Sequence, residues 1–263
     1  MFFDLTILCA VLALLHVTLY IFMGHQRLVI ITNTFAVLGL VFASIQFIDL
    51  WKDRHMLPFG SLSGLFLFLS LALLLVYVLM YVKYKRVSLG LFIFPLTVLF
   101  IMISRLAGGM PEYVNPNAAS FWLYIHLPFT IIGTAFFMVS TVCGIMYFIQ
   151  ERQLKNKKFG IIFRSFPPLD TIDKLINTTL YIGFYTFTIG LLSGLVWMMY
   201  ANGVINIYSP KLVFAIITWI IYSGITFYKQ LKGLSPKHTA LSTIIGFISV
   251  LITYVGVAFF VMG

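Results

Sequence analysis

Two histidines stand apart because they fall inside apolar stretches. His16 lies near the middle of the first such stretch and His126 near the start of the fifth. His25, His55 and His238 fall between stretches. An imidazole in an apolar setting needs a partner: a polar group on a neighbouring helix, water in a cavity, a metal, or a haem iron. The plain chemistry is a hydrogen bond between helices, and the richer one is axial ligation. Should either ligate iron, the two mark different depths. His16 is about 11 residues into its stretch, roughly 16 Å at 1.5 Å per residue, whereas His126 is close to a boundary.

Other chemistry is sparse. The chain has no P-loop, no glycine fingerprint for a nucleotide, no G-x-S-x-G and no H-E-x-x-H. No Asp or Glu lies inside an apolar stretch except near its ends, which argues against a carboxylate proton relay and an ion-coupled pump. Cys9 and Cys143 sit in separate stretches without a C-x-x-C, so a disulfide framework, a zinc cluster and a thiol relay lack support. His16, Asn33 and scattered Ser and Thr are all that a small-solute transporter would have for a midplane site.

The elements that must position these residues follow from composition. The 263 residues are 61% hydrophobic and 9% charged, against about a quarter charged in a soluble domain. So little polar surface cannot cover a globule in water, and lipid must be the solvent. A helix needs about 20 apolar residues to cross the hydrocarbon core. Eight segments qualify: Leu5–Met23, Leu28–Ile48, Leu62–Val82, Leu89–Ser104, Ser120–Ile149, Thr179–Met199, Leu212–Tyr228 and Thr239–Met262. The fourth is short, and the fifth is long enough to tilt or to project into water. The fold class is all-α: one polytopic membrane domain over residues 1–263, with eight transmembrane helices. The first stretch reads as a retained helix, since Met1-Phe2-Phe3-Asp4 has no basic n-region.

Loop charge sets the orientation. Thirteen of the seventeen Lys and Arg fall after spans 1, 3, 5 and 7, and four fall after spans 2, 4 and 6. Basic loops stay in the cytoplasm, so both termini lie outside. The same bias accounts for the net charge of +10 without a nucleic-acid partner. The longest loop, 150–178, is cytoplasmic. Its Pro167-Pro168 pair ends any continuation of span 5, and Asp170 is placed to cap a short helix that follows. Gly190 and Gly194 in span 6 are spaced G-x-x-x-G, which admits a close neighbour within the chain or a dimer face. Trp51, Tyr113, Trp122, Tyr200 and Tyr208 near span ends suit an aromatic belt.

Two runs carry a resemblance. The first is Asn115-Pro116-Asn117-Ala118-Ala119-Ser120-Phe121-Trp122-Leu123-Tyr124-Ile125-His126, continuing to Gly133 and Ala135. The second runs from Pro167-Pro168-Leu169-Asp170 through Gly183-Phe184, Gly190, Gly194 and Trp197, past Ser209-Pro210-Lys211, to Trp219, Tyr222, Gly246 and Tyr254-Val255-Gly256. Over roughly residues 62–257 the chain resembles the cytochrome c assembly superfamily of haem-handling membrane proteins. The resemblance implies haem b as cofactor and places His126 on the first outer axial position. Trp122, Tyr208 and Lys211 would line an outer pocket. His16 is a further candidate contact. It also implies that Lys211 pairs with a haem propionate, beside the plainer reading of a lysine snorkelling at a helix start.

The family pattern is altered in places. Its tryptophan-rich outer loop corresponds here to Gly203-Val204-Ile205-Asn206-Ile207-Tyr208-Ser209-Pro210-Lys211, where only the Gly and the Pro-Lys remain. Its inner histidine near the end of span 7 corresponds to Phe227, and its second outer histidine after span 8 has no counterpart up to Gly263. The form without the tryptophan loop resembles the HemX-type members, which implies a non-enzymatic protein of the bacterial plasma (inner) membrane. It would handle haem or control haem biosynthesis by binding a haem-biosynthesis enzyme through 150–174. The alternative is a cytochrome c maturation subunit that exports or presents haem together with another assembly subunit. Membrane lipid is the partner under either reading.

Overall fold

A computed structural model describes residues 2–54, 58–107, 120–157 and 159–262. His55, Tyr113, residues 115–119 and Lys158 lie outside the described residues, as do the side chains of 254–256. The described residues form helices joined by short turns, with no strand among them. Among the described residues, eight helices are long and apolar enough to cross a membrane, in register with the eight segments read from hydropathy.

Two compact units divide the chain. The first holds α1 (Phe2–Met23), α2 (Gln26–Arg54), α3 (Leu62–Tyr84) and α4 (Gly90–Leu106), together with the short α6 (Ile161–Ser165). α1 and α2 pack through small residues: Ala10, Ala13, Ala36 and Ala43 are buried, and Gly39 faces Cys9 and Leu74. Small side chains let backbones approach, which is what drives helix association where lipid is as apolar as leucine. Polar side chains join the other pairs. The Ser104 hydroxyl donates to the Ser63 carbonyl at 2.7 Å, and the buried Tyr77 hydroxyl donates to Asn33 Oδ1 at 3.0 Å. A 3-10 turn, Val87–Leu89, extends the short fourth span to Val87–Leu106.

The second unit holds most of α5 (Phe121–Lys155), with α7 (Leu169–Asn202), α8 (Pro210–Lys232) and α9 (Pro236–Met262). At 35 residues α5 is about 50 Å long at 1.5 Å per residue, beyond the roughly 30 Å of the hydrocarbon core. Tyr222 stacks on Phe137 with ring centroids 3.6 Å apart, in a core with Leu180, Phe184, Phe187 and Val250. Trp219 Nε1 donates to Thr188 Oγ1 at 2.9 Å, tying α8 to α7. Nearer the basic end, Lys229 approaches Asp173 at 3.6 Å and donates to the Leu234 carbonyl at 2.7 Å.

The loop 150–178 departs from expectation. The segment after Pro167-Pro168 is not a separate short helix, because α7 runs unbroken from Leu169 to Asn202. Two prolines fix its start, and nothing within Leu169–Thr178 breaks it. Asp170 lies inside the first turn rather than capping it. There it suits the positive end of the helix dipole and pairs with Lys174 at 2.6 Å.

Candidate functional site

His126 occupies the sixth residue of α5, one turn beyond Trp122 on the same helical face. Its Nδ1 lies 2.6 Å from the Gly190 carbonyl of α7. A carbonyl oxygen only accepts, so Nδ1 carries the proton and donates, which leaves the Nε2 lone pair free. The hydrogen bond thus fixes both tautomer and ring orientation, as second partners of ligating histidines do. Thr130, one turn deeper on α5, donates to the His126 carbonyl at 2.6 Å and lies 3.4 Å from Nδ1. The Trp197 ring is parallel to the imidazole within 6°, with centroids 6.5 Å apart.

Glycines make this arrangement possible. A Cβ on Gly194 would stand 2.5 Å from His126 Nδ1 and 2.6 Å from Cε1. A Cβ on Gly190 would meet the Thr130 Oγ1 and backbone N at 2.6 and 2.7 Å. One on Gly133 would meet Phe187 backbone at 2.8 Å. The G-x-x-x-G spacing of α7 therefore serves a close approach to α5 within the chain, the plainer of its two readings. Pro128, inside α5, has no N–H for the Tyr124 carbonyl, which loosens the backbone ladder beside His126.

The other candidates are placed as follows. Trp122 is 38% exposed and sits edge-on to Phe121. Tyr208 is 85% exposed in the α7–α8 connection, where its backbone N–H donates to Asn206 Oδ1. Lys211 is exposed at the start of α8. Among the described residues, no hydrogen bond, ion pair or ring contact joins Tyr208 or Lys211 to His126. His16 belongs to the first unit. Its Nδ1 bonds the Leu12 carbonyl of its own helix at 2.7 Å, not a neighbouring helix, and its ring packs on Phe35 at 5.5 Å. Asn33 is also spent, on the Val29 carbonyl and the Tyr77 hydroxyl, which thins a midplane solute site further.

The residues around His126 fit a haem iron, which Nε2 would hold. The free nitrogen is Nε2, the ring is half-buried, and a parallel indole lies alongside. Sequence reading found the imidazole but missed Thr130, Gly194 and the Gly190 carbonyl as its setting. The usable signal was the pair His126 and Thr130, four residues apart, facing two glycines also four apart. The described residues contain no group of three or more His, Cys, Asp or Glu that could hold a metal ion alone.

Comparison with known proteins places the chain. It is 24% identical over 230 residues to a cytochrome c biogenesis protein CcsA of Guillardia theta, covering 80% of this chain and 76% of that one. A CcsA of Mesostigma viride is 26% identical over 258 residues, covering 86% and 84%. A CcsA of Prochlorococcus marinus (strain MIT 9301) is 24% identical over 245 residues, covering 84% and 79%. Residues 59–263 match the family model described as Cytochrome C assembly protein. That span takes in both runs that carried the resemblance, and this chain, a multi-pass membrane protein, belongs to the cytochrome c assembly protein family.

Proposed function

We propose that this chain is the haem-handling membrane subunit of a cytochrome c maturation machinery, holding haem b at its outer face and presenting it to apocytochrome c with a partner subunit. One observation carries the reading: the Nδ1–H of His126 is committed to the Gly190 carbonyl, which leaves Nε2 as the nitrogen that would meet a haem iron. Haem, when bound, would supply an iron that accepts this nitrogen. His126 orients that bond, Gly190 and Thr130 hold the ring, and Trp122 and Trp197 supply flat apolar surface. Tyr208 and Lys211 belong to the outer rim, where Lys211 would meet a propionate. A partner subunit would supply any further ligand that the iron takes. The role is binding and hand-over, with no catalytic residue assigned.

The relatives named above are biogenesis proteins, so they favour the maturation reading over the HemX-type control of haem biosynthesis. Algal relatives stand among them, so kinship alone does not select the bacterial plasma membrane that we assign to the chain.

Deleting the gene should abolish covalent haem staining of membrane c-type cytochromes. The wild-type chain should restore it, and His126→Ala should restore less than a tenth. Normal staining in the deletion, with altered levels of a haem-biosynthesis enzyme, would return the HemX-type reading.

A further inference from the structure

The first unit carries an open groove of about 460 Å³ between α2 and α3, lined by Ile30, Asn33, Thr34, Val37, Leu38 and Tyr81. Its walls are mostly apolar and outward-facing: Ile30 is 68% exposed. The one amide is already used, since Asn33 donates to the Val29 carbonyl and accepts from Tyr77. A polar solute would find little to bond there. Among the described residues, no His, Cys or Met lines the groove, so they offer a haem none of those ligands either. The shape and chemistry suit a hydrocarbon chain.

Both walls end in a cation on the same side. On α2, Arg27, Ile30, Thr34 and Val37 follow one helical face at intervals of three and four. Arg27 thus continues the groove wall one turn past Ile30. On α3, Tyr81 is followed four residues later by Lys85, whose Nζ stands 5.5 Å from the Tyr81 ring centroid. Lys85 adopts a left-handed backbone at φ 55°, with its N–H on the Tyr81 carbonyl at 2.7 Å. Glycine is the usual residue for that conformation at a helix end. A lysine there accepts backbone strain and keeps an ammonium at the groove mouth.

Among the described residues, no ion pair neutralises Arg27 or Lys85, and Glu151 of the same unit is paired with Lys155 at 2.9 Å. The connections 24–27 and 83–89 contain Arg27, Lys83, Lys85 and Arg86 and no Asp or Glu. Asp4 of α1 and Asp49 and Asp53 of α2 belong to the opposite ends of those helices. Loop charge assigns the basic end to the cytoplasm, where anionic lipid headgroups are drawn to juxtamembrane cations.

We propose that the α2–α3 groove is a binding site for an anionic phospholipid of the cytoplasmic leaflet, with an acyl chain along Ile30, Val37 and Leu38 and the phosphate between Arg27 and Lys85. The site shares no residue with the setting of His126 and stands whether or not haem binds there.

Native mass spectrometry of the full-length protein, delipidated and titrated with phosphatidylglycerol or with phosphatidylcholine of the same chains, tests this. The wild type should retain one phosphatidylglycerol at least tenfold more tightly than phosphatidylcholine. Lys85→Gly removes the cation while relieving the backbone, so misfolding cannot explain a loss; it should weaken retention roughly fivefold, as expected for one cation near an anionic headgroup. Thr34→Trp fills the groove with every charge intact and should abolish the one-lipid adduct for both lipids. Equal retention of the two lipids, or phosphatidylglycerol retention unchanged in Lys85→Gly and Thr34→Trp, would overturn the assignment.

Discussion

The imidazole of His126 shows how much a single hydrogen bond can decide. Its Nδ1 proton goes to the Gly190 carbonyl, which leaves the other nitrogen as the one that would ligate iron under the proposed function. The ring fits only because position 194 lacks a side chain. Gly194→Ala should push the imidazole off Gly190 and weaken haem binding about 10- to 100-fold, the usual cost of losing a second-shell partner. Haem titration of the purified variant reads this directly, and wild-type affinity in Gly194→Ala would show that the Gly190 bond does not set the site. The candidate histidine was legible from its place in an apolar stretch, but its partner was not. Gly190 is 64 residues away, and a backbone carbonyl has no residue type to betray it. His16 makes the contrast. It looked equally isolated in sequence, yet its Nδ1 is held by its own helix at Leu12, a bond that any helical residue four positions back can offer.

At the scale of the helix, the seam between α5 and α7 is built from absent side chains. Gly190→Ala should destabilise the protein by about 1–3 kcal/mol, because its Cβ would run into the backbone of Thr130. Gly224 is the internal control, with nothing within 4 Å of its would-be Cβ. Gly224→Ala should be neutral or gain up to about 1 kcal/mol from helix propensity. Thermal unfolding in one detergent compares the two, and equal effects would deny the seam its special closeness. Helix positions were readable because about 20 apolar residues are a strong signal. Helix ends were harder. α7 begins ten residues before its apolar span, at Leu169, since polar residues such as Asp170 and Lys174 extend a helix into water as readily as they form a loop. The G-x-x-x-G spacing indicated closeness, but only the packed structure names α5 as the partner.

For the whole molecule, the distribution of charge carries the orientation of the chain. Cys9 and Cys143 are both buried, so introduced cysteines can be labelled against a quiet background. Ile207→Cys, in the exposed α7–α8 connection, should react with a membrane-impermeant maleimide on intact cells. Asn156→Cys, just past α5, should react only after permeabilisation. The reverse pattern would invert the topology and move His126 to the cytoplasmic side. Fold class and family were within reach of sequence, because both rest on long-range regularities: eight hydropathy peaks and two motif runs within residues 59–263. The choice between maturation and HemX-type control was not. It hung on what the altered outer loop means, and that loop places Tyr208 in solvent rather than against His126.

The most direct test of the account is the visible spectrum of the detergent-purified protein, as isolated and after titration with haem, beside His126→Ala. Haem held through His126 predicts a Soret band that saturates near one haem per chain in the wild type and is lost or strongly weakened in the variant. A wild type that stays colourless through the titration, or a band unchanged in His126→Ala, would contradict it.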